Sequence, residues 1–289
     1  MSATDSDPIA PPGVDLEHPS VARVYDFYLG GTANWAIDRE FGKKVLSRFP
    51  LLRPIAKANR LFLHRAVRHL VRQGVRQFID IGAGVPTMGN THQVADQLAP
   101  NQSHVVYVDN EPVAVAHSEV LLDQYGDPQR HAAINADLRD PDELWRRVEA
   151  TGVIDLRQPV ALLLIAVLHF HQPGPNGEDL GTPAVARYRE LMAPGSYLTI
   201  SQLSPDGVPP AIEENLANLQ RMYQQSGSSD AMFRDHDEIL ALFGDFEMIE
   251  PGLTWTPLWH PEEIGSIAPV ISFSTPNESA IKAGVGRKR

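Results

Sequence analysis

Apolar residues recur at helical spacing through the first quarter of the chain and then, from about residue 77, in short uninterrupted runs. That change of rhythm predicts the architecture. Ser20 is an N-cap residue for a helix through Val21, Val24, Tyr25 and Tyr28, stopped by Gly30-Gly31. A second helix is expected over 38–49, ended by Pro50. A third opens at Pro54 and carries Ile55, Ala58, Leu61, Phe62, Ala66 and Leu70 to Gly74. Beyond it, strand-like runs at 77–81, 104–108, 131–135, 160–165 and 197–201 alternate with helical patterns at 91–98, 112–125, 142–150 and 184–192. Strand and helix in alternation predict a parallel sheet covered on both faces, and the continuous apolar run 160–165 suits its central strand. Helices over 211–225 and 236–243 follow, and strands at 246–249 and 270–273 close the sheet as an antiparallel pair.

The same pattern divides the chain. Residues 1–19, rich in Pro, Asp and Ser, read as an arm; 20–75 as a helical N-terminal cap; 76–275 as the sheet domain; and 276–289, ending KAGVGRKR, as a solvated basic tail. Composition then excludes whole classes of function. There is no cysteine among 289 residues, hence no disulfide framework, thiolate metal site or cysteine nucleophile. A net charge of −11 argues against a nucleic-acid partner held by phosphate neutralisation. The longest apolar run, 160–168, is less than half of a membrane span, and MSATDSDPIAPPGVD lacks an apolar leader. The expectation is a cytoplasmic protein with a small-molecule partner.

Chemistry concentrates at the ends of the predicted strands. In FIDIGAGVPTMGN, residues 78–90, Gly82 and Gly84 allow a bend with positive φ and let backbone approach a ligand. A dinucleotide site would want a third glycine at 87, where Thr87 stands, and Pro86 lacks the N–H that a phosphate needs. Asn90 with Gln93 resembles a capping box, so the helix starts late. The loop suits a ligand without pyrophosphate, bound by polar groups such as Thr87 and Asn90. In VVYVDNEP, Asp109 ends the second strand, where a carboxylate accepts both hydroxyls of a ribose diol; Asn110 is then the cap before Pro112. In INADLRDP, Asp137 can accept from an adenine amino group while Leu138 packs on the ring. His169, just past the central strand, stands where a general base would be needed, although the blander reading, a loop histidine bonded to backbone, weighs more. Trp35 reads as a packing anchor. Tyr223, Trp255 and Trp259 are either core or the lining of an acceptor pocket.

The series resembles class I S-adenosylmethionine-dependent methyltransferases. More narrowly, VARVYDFYLGGTANWAIDRE, ANRLFLHRAVRHL, FIDIGAGVPTMGNTHQVA, VVYVDNEPVAVAHS, ADLRDP and PVALLLIAVLHF resemble a family of S-adenosyl methyltransferases of unassigned substrate, the YDFYLGG element being the distinctive part. The resemblance spans residues 18 to 275. It implies an α/β fold: a Rossmann-like, doubly wound, seven-stranded, mostly parallel sheet with an antiparallel last strand, plus a helical N-terminal cap. It implies S-adenosyl-L-methionine at the switch point. Asp80, Gly82, Ala83 and Gly84 would flank the methionine part, with Thr87 and Asn90 bordering it. Asp109 would take the ribose beside Asn110 and Val113, and Asp137 and Leu138 the adenine. Ala166, Val167 and His169 would lie beneath the sulfonium. Tyr25, Gly31 and Asn34 of the cap would close over the site, and Arg60 would meet a carboxylate. In-line methyl transfer to a small-molecule acceptor is the activity this implies. A non-catalytic protein that binds S-adenosylmethionine or S-adenosylhomocysteine, and a nicotinamide-dependent oxidoreductase, stand as alternatives.

Overall fold

The structure, a computed structural model, describes residues 14–85, 89–263, 265 and 271–289. Among these, eight strands form one sheet. Their chain order is β1 (Gln77–Ile81), β2 (His104–Asp109), β3 (His131–Asn135), β4 (Ala161–Ile165), β5 (Tyr197–Leu203), β6 (Glu247–Met248), β7 (Thr254–Trp255) and β8 (Ile281–Arg287). The spatial order is β3-β2-β1-β4-β5-β8-β6, with β7 also paired to β8. The first five strands are mutually parallel. β8 runs antiparallel to β5, from Tyr197↔Arg287 to Leu203↔Ile281.

The helices are α1 (Val21–Leu29), α2 (Ala36–Arg48), α3 (Leu52–Arg72), α4 (Thr91–Asp96), α5 (Pro112–Tyr125), α6 (Pro141–Ala150), α7 (Gly181–Leu191), α8 (Pro210–Ser226) and α9 (His236–Phe243). They cover both sheet faces, as a sheet with two apolar faces requires. One face packs Ile79, Val106, Leu162, Leu164 and Ile200 against Leu144, Trp145, Tyr188 and Phe243. The other packs Phe78, Val105, Ala161, Leu163 and Val285 against Phe62, Leu63, Val67 and Leu70 of α3. A third cluster joins Val24, Tyr28, Val45 and Ile55 to Leu216, Leu219 and Tyr223 of α8, above the ends of β5 and β8. So α3, which ends at Arg72, serves two layers: its start packs in the cap and its remainder against the sheet. Among the described residues no helix is long and apolar enough to cross a membrane.

Two expectations are corrected. Ile271, Ser272 and Phe273 are not a strand, and Val270 lies outside the described residues. The tail is not a solvated end: 281–287 is the antiparallel strand, buried from Ile281 to Gly286. Its glycines hid it. A Cβ at Gly286 would come within 2.9 Å of Phe243 Cδ1 and 3.1 Å of Phe246 Cβ, so the position must be bare for the sheet and α9 to meet.

Candidate functional site

The strand order reverses between β1 and β4, and at that switch point a cleft of about 490 Å³ opens beyond the carboxyl ends of the parallel strands. Its floor is the glycine turn after β1. The N–H groups of Gly82 and Ala83 both donate to Val108 O, at 2.8 and 3.2 Å, which hooks the turn over β2. Gly82 has φ +68°, and a Cβ there would meet Val167 Cγ2 at 2.6 Å. Gly84 has φ +65° with no heavy atom within 4 Å of where its Cβ would stand, so its backbone faces open space. Across the switch point Ala166 holds φ +59°, a conformation that costs a non-glycine residue on the order of 1 kcal/mol and that its N–H bond to Ser201 Oγ (3.0 Å) helps to fix.

Asp109 is built into this turn. Its Oδ2 accepts the Gly84 N–H at 2.8 Å and its Oδ1 the Glu111 N–H at 2.9 Å. Each oxygen keeps a further lone pair, the number a vicinal diol would use. Burial pushes the carboxyl up to about 6, against the opposing pull of the two N–H bonds. The cap of α5 is Glu111, not Asn110 as expected, because the Asp109 side chain takes the Glu111 N–H; Asn110 instead lines the cleft. Asp80 is buried and accepts from Thr91 Oγ1 at 2.7 Å. Burial raises its pKa too, with the Arg60 guanidinium opposing. Arg60 is buried, donates to Gly89 O at 3.1 Å, and reaches both the cleft and a small adjoining pocket lined by Asn90, Gly84 and Tyr107. Asn90 caps α4 with its reciprocal partner Gln93, as the sequence predicts.

The cleft is lined by Tyr25, Arg60, Asp80, Gly82, Ala83, Gly84, Asp109, Asn110, Leu138, Ala166, Val167 and His169 of the expected set. Tyr25 donates to Ala56 O at 3.1 Å and accepts from Asn59 at 3.2 Å. Gly31 and Asn34 are not among the described lining residues. Asn34 donates to the buried Asp26 carboxylate at 2.7 Å and to Gly31 O at 3.0 Å, a knot that shapes the α1–α2 turn. Val113 is fully buried with Trp35, Ala33 and Val85, so Trp35 is the anchor its pattern suggested. Asp137 is bound by Arg139 Nε at 3.0 Å and accepts its backbone N–H at 2.9 Å; Arg139, with Leu138, lines the cleft in its place. Thr87 lies outside the described residues.

His169 does not stand as a free base. It is buried, and Leu203 N–H donates to its Nδ1 at 3.0 Å, so the neutral ring carries its proton on Nε2. Burial drives its pKa down to about 3, so the ring stays neutral with its one lone pair already used. The reason is packing: His169 sits under β5, where its carbonyl also accepts the Met232 N–H.

Other lining residues carried no expected site role, apart from Tyr223, which the sequence offered as core or acceptor lining. Glu111 accepts from Ser20 Oγ at 2.7 Å and lies 3.6 Å from Arg23, linking α1 to the β2 end. Arg23, fully buried, pairs with Asp38 at 2.8 Å. Tyr28, Phe170 and Tyr223 line the half of the cleft over β5 and β8. Tyr28 carried the signal of an aromatic residue at core spacing, and Tyr223 is at once part of the third core cluster and of the cleft lining. Trp259, by contrast, is fully buried against Phe62 at 5.3 Å, and Trp255 lies 5.1 Å from Lys282 Nζ.

Comparison with known proteins bears on this geometry. A family model described as S-adenosyl methyltransferase matches residues 8–289. The crystal structure of a candidate methyltransferase from Thermobifida fusca YX superposes with a TM-score of 0.82 at 36% identity, covering 96% of this chain and 98% of that one. A duf574 family protein from Streptomyces avermitilis MA-4680 superposes with a TM-score of 0.81 at 32% identity, covering 95% and 99%. An O-methyltransferase family protein from Burkholderia thailandensis, 13% identical with a TM-score of 0.51, shares the fold over 82% of this chain and 59% of its own. No curated protein matches the chain.

Proposed function

This chain belongs to the S-adenosyl methyltransferase family, and from that premise we propose that the cleft holds S-adenosylmethionine across the carboxyl ends of β1 to β4 and presents its methyl group to a small-molecule acceptor over β5 and β8. The protein is an S-adenosylmethionine-dependent methyltransferase, with S-adenosyl-L-methionine as its cofactor. The arrangement of Asp109 carries the assignment of the site. A carboxylate clamped by the Gly84 and Glu111 N–H groups, at the end of the strand next to the glycine turn, is preorganised to accept a ribose diol. The residues fit the cofactor. The open face of Gly84 leaves room for its chain, Arg60 offers a cation for its carboxylate, and Leu138 with Arg139 borders the place for its adenine.

When bound, the cofactor supplies an activated methyl on a good leaving group. The protein's part is therefore alignment and exclusion of water rather than strong acid–base chemistry. The Gly82 turn, the strained Ala166 and α1 fix the walls within which an acceptor must line up.

Calorimetry with S-adenosylmethionine, S-adenosylhomocysteine and NAD tests the reading. The first two are expected to bind and NAD is not. Asp109→Ala is expected to weaken S-adenosylhomocysteine about 30-fold, the worth of a charge-assisted pair of hydrogen bonds. Unchanged affinity in that variant would refute the ribose assignment.

A further inference from the structure

We propose that the acceptor is a small hydroxyaromatic molecule, seated against Phe170 and Tyr223, and that His18 held by Asp15 takes its hydroxyl proton. This rests on the reading of the cleft as a methyl-transfer site. Two observations lead to it, one about shape and one about protons.

The half of the cleft over β5 and β8 is walled by aromatic rings already arranged edge to face. Phe170 and Tyr223 have centroids 5.1 Å apart with their planes at 62°. Tyr223 also meets Phe41 at 5.0 Å, which holds its ring in place. The hydroxyls of Tyr28 and Tyr223 stand 3.5 Å apart, offering a polar edge beside the apolar side chains of Leu219 and Ile281. A flat ring with one hydroxyl matches both features, because aromatic pairs in edge-to-face or offset arrangement gain more than their buried area alone supplies.

Such an acceptor must lose a proton, and the one lone pair of His169 already accepts the Leu203 N–H. His18 has the opposite tautomer. Its Nδ1 lies 2.9 Å from Asp15 Oδ2, and a carboxylate can only accept, so the neutral ring donates from Nδ1 and keeps its lone pair on Nε2. Asp15 is fixed in turn by the N–H groups of Glu17 and His18, at 2.7 and 3.2 Å. Both residues line the mouth of the same cleft. The His18 ring lies against Gly227, one turn beyond Tyr223 at the end of α8: a Cβ at Gly227 would stand 3.1 Å from His18 Cδ2. Arg23 anchors the segment from below by donating to His18 O at 3.0 Å. In the step, the acceptor oxygen bonds the methyl carbon as its proton passes to His18 Nε2. The carbon–sulfur pair stays on sulfur, leaving a neutral thioether.

The test uses the full chain saturated with S-adenosylhomocysteine, titrated with 2-naphthol and with its saturated counterpart decahydro-2-naphthol. The aromatic alcohol is expected to bind about tenfold more tightly, and Phe170→Leu to remove most of that preference without changing affinity for S-adenosylhomocysteine. With S-adenosylmethionine, mass spectrometry is expected to find the methyl ether of 2-naphthol. His18→Gln should slow its formation about a hundredfold with both binding constants unchanged, and imidazole should restore His18→Gly in part. Equal binding of the two alcohols, binding without methyl transfer, or full turnover in His18→Gln would overturn the proposal. If S-adenosylhomocysteine itself fails to bind, the underlying reading falls and takes this one with it.

Discussion

At the scale of single residues, the site is defined by which lone pairs are already spent. Two of the histidines that line the cleft, His169 and His18, differ in their tautomer, because one faces a backbone N–H and the other a carboxylate. That difference follows from neighbours distant in sequence, and nothing in the local string around His169 announces it. Asp109 is the reverse case: its place after an apolar strand was enough to find it, while its two N–H partners explain why it is exposed to a ligand yet rigid. Its titration makes a prediction with a definite sign. The folded carboxyl, pushed up to about 6, holds a proton that an unfolded chain releases near 4. This group's contribution to stability is therefore full below about pH 4 and is lost as the pH rises through 6. Cofactor binding, which needs the carboxylate, runs the other way. Affinity for S-adenosylhomocysteine is expected to fall about tenfold from pH 7.5 to pH 5, and Asp109→Asn to be weak and pH-independent across that range. A flat wild-type profile by calorimetry would show that another group holds the ribose.

At the scale of elements, the alternating strands and helices were legible because their apolar periods are unambiguous. The elements 77–81, 131–135, 112–125 and 236–243 coincide with their predicted bounds. What failed was the last strand. A buried strand normally shows itself by bulky β-branched residues, whereas IKAGVGR has two glycines that make room for neighbours from α9 and β6. The two glycines are not equivalent. At Gly284 the first atom met would be Met248 Cε at 2.9 Å, the end of a flexible side chain; at Gly286 it is an aromatic ring, with Phe246 Cβ close behind. Gly286→Ala is thus expected to destabilise by about 1–3 kcal/mol in urea titration, and Gly284→Ala by distinctly less. The opposite ranking would mean that β8 is not packed as described.

At the scale of the whole molecule, a cap built from α1, α2, the start of α3 and α8 overhangs a sheet that carries the turn chemistry. The sequence pattern foretold the first three; α8 joins them through Tyr223 and Leu219, a contact between segments almost two hundred residues apart. The buried Arg23–Asp38 pair ties α1 to α2 within this cap. Asp38 also accepts the N–H groups of Trp35 and Ser20, at 2.9 and 3.0 Å. Asp38→Leu alone leaves a buried guanidinium without its nearest carboxylate and should cost about 3–5 kcal/mol, whereas Arg23→Met together with Asp38→Leu should recover most of that loss. Chemical denaturation of the two variants decides it: equal loss in both would mean that the N–H bonds of Asp38, not its charge, hold the cap.

The strand that separates β5 from β6 comes after both of them along the chain. As the polypeptide emerges from the ribosome, β5 is therefore left with a bare edge, and β6 and β7 with nowhere to dock, until residue 281 arrives. Over that interval of some eighty residues, the nascent chain presents an open hydrogen-bonding ledge, an opportunity for a chaperone and a hazard for neighbouring copies.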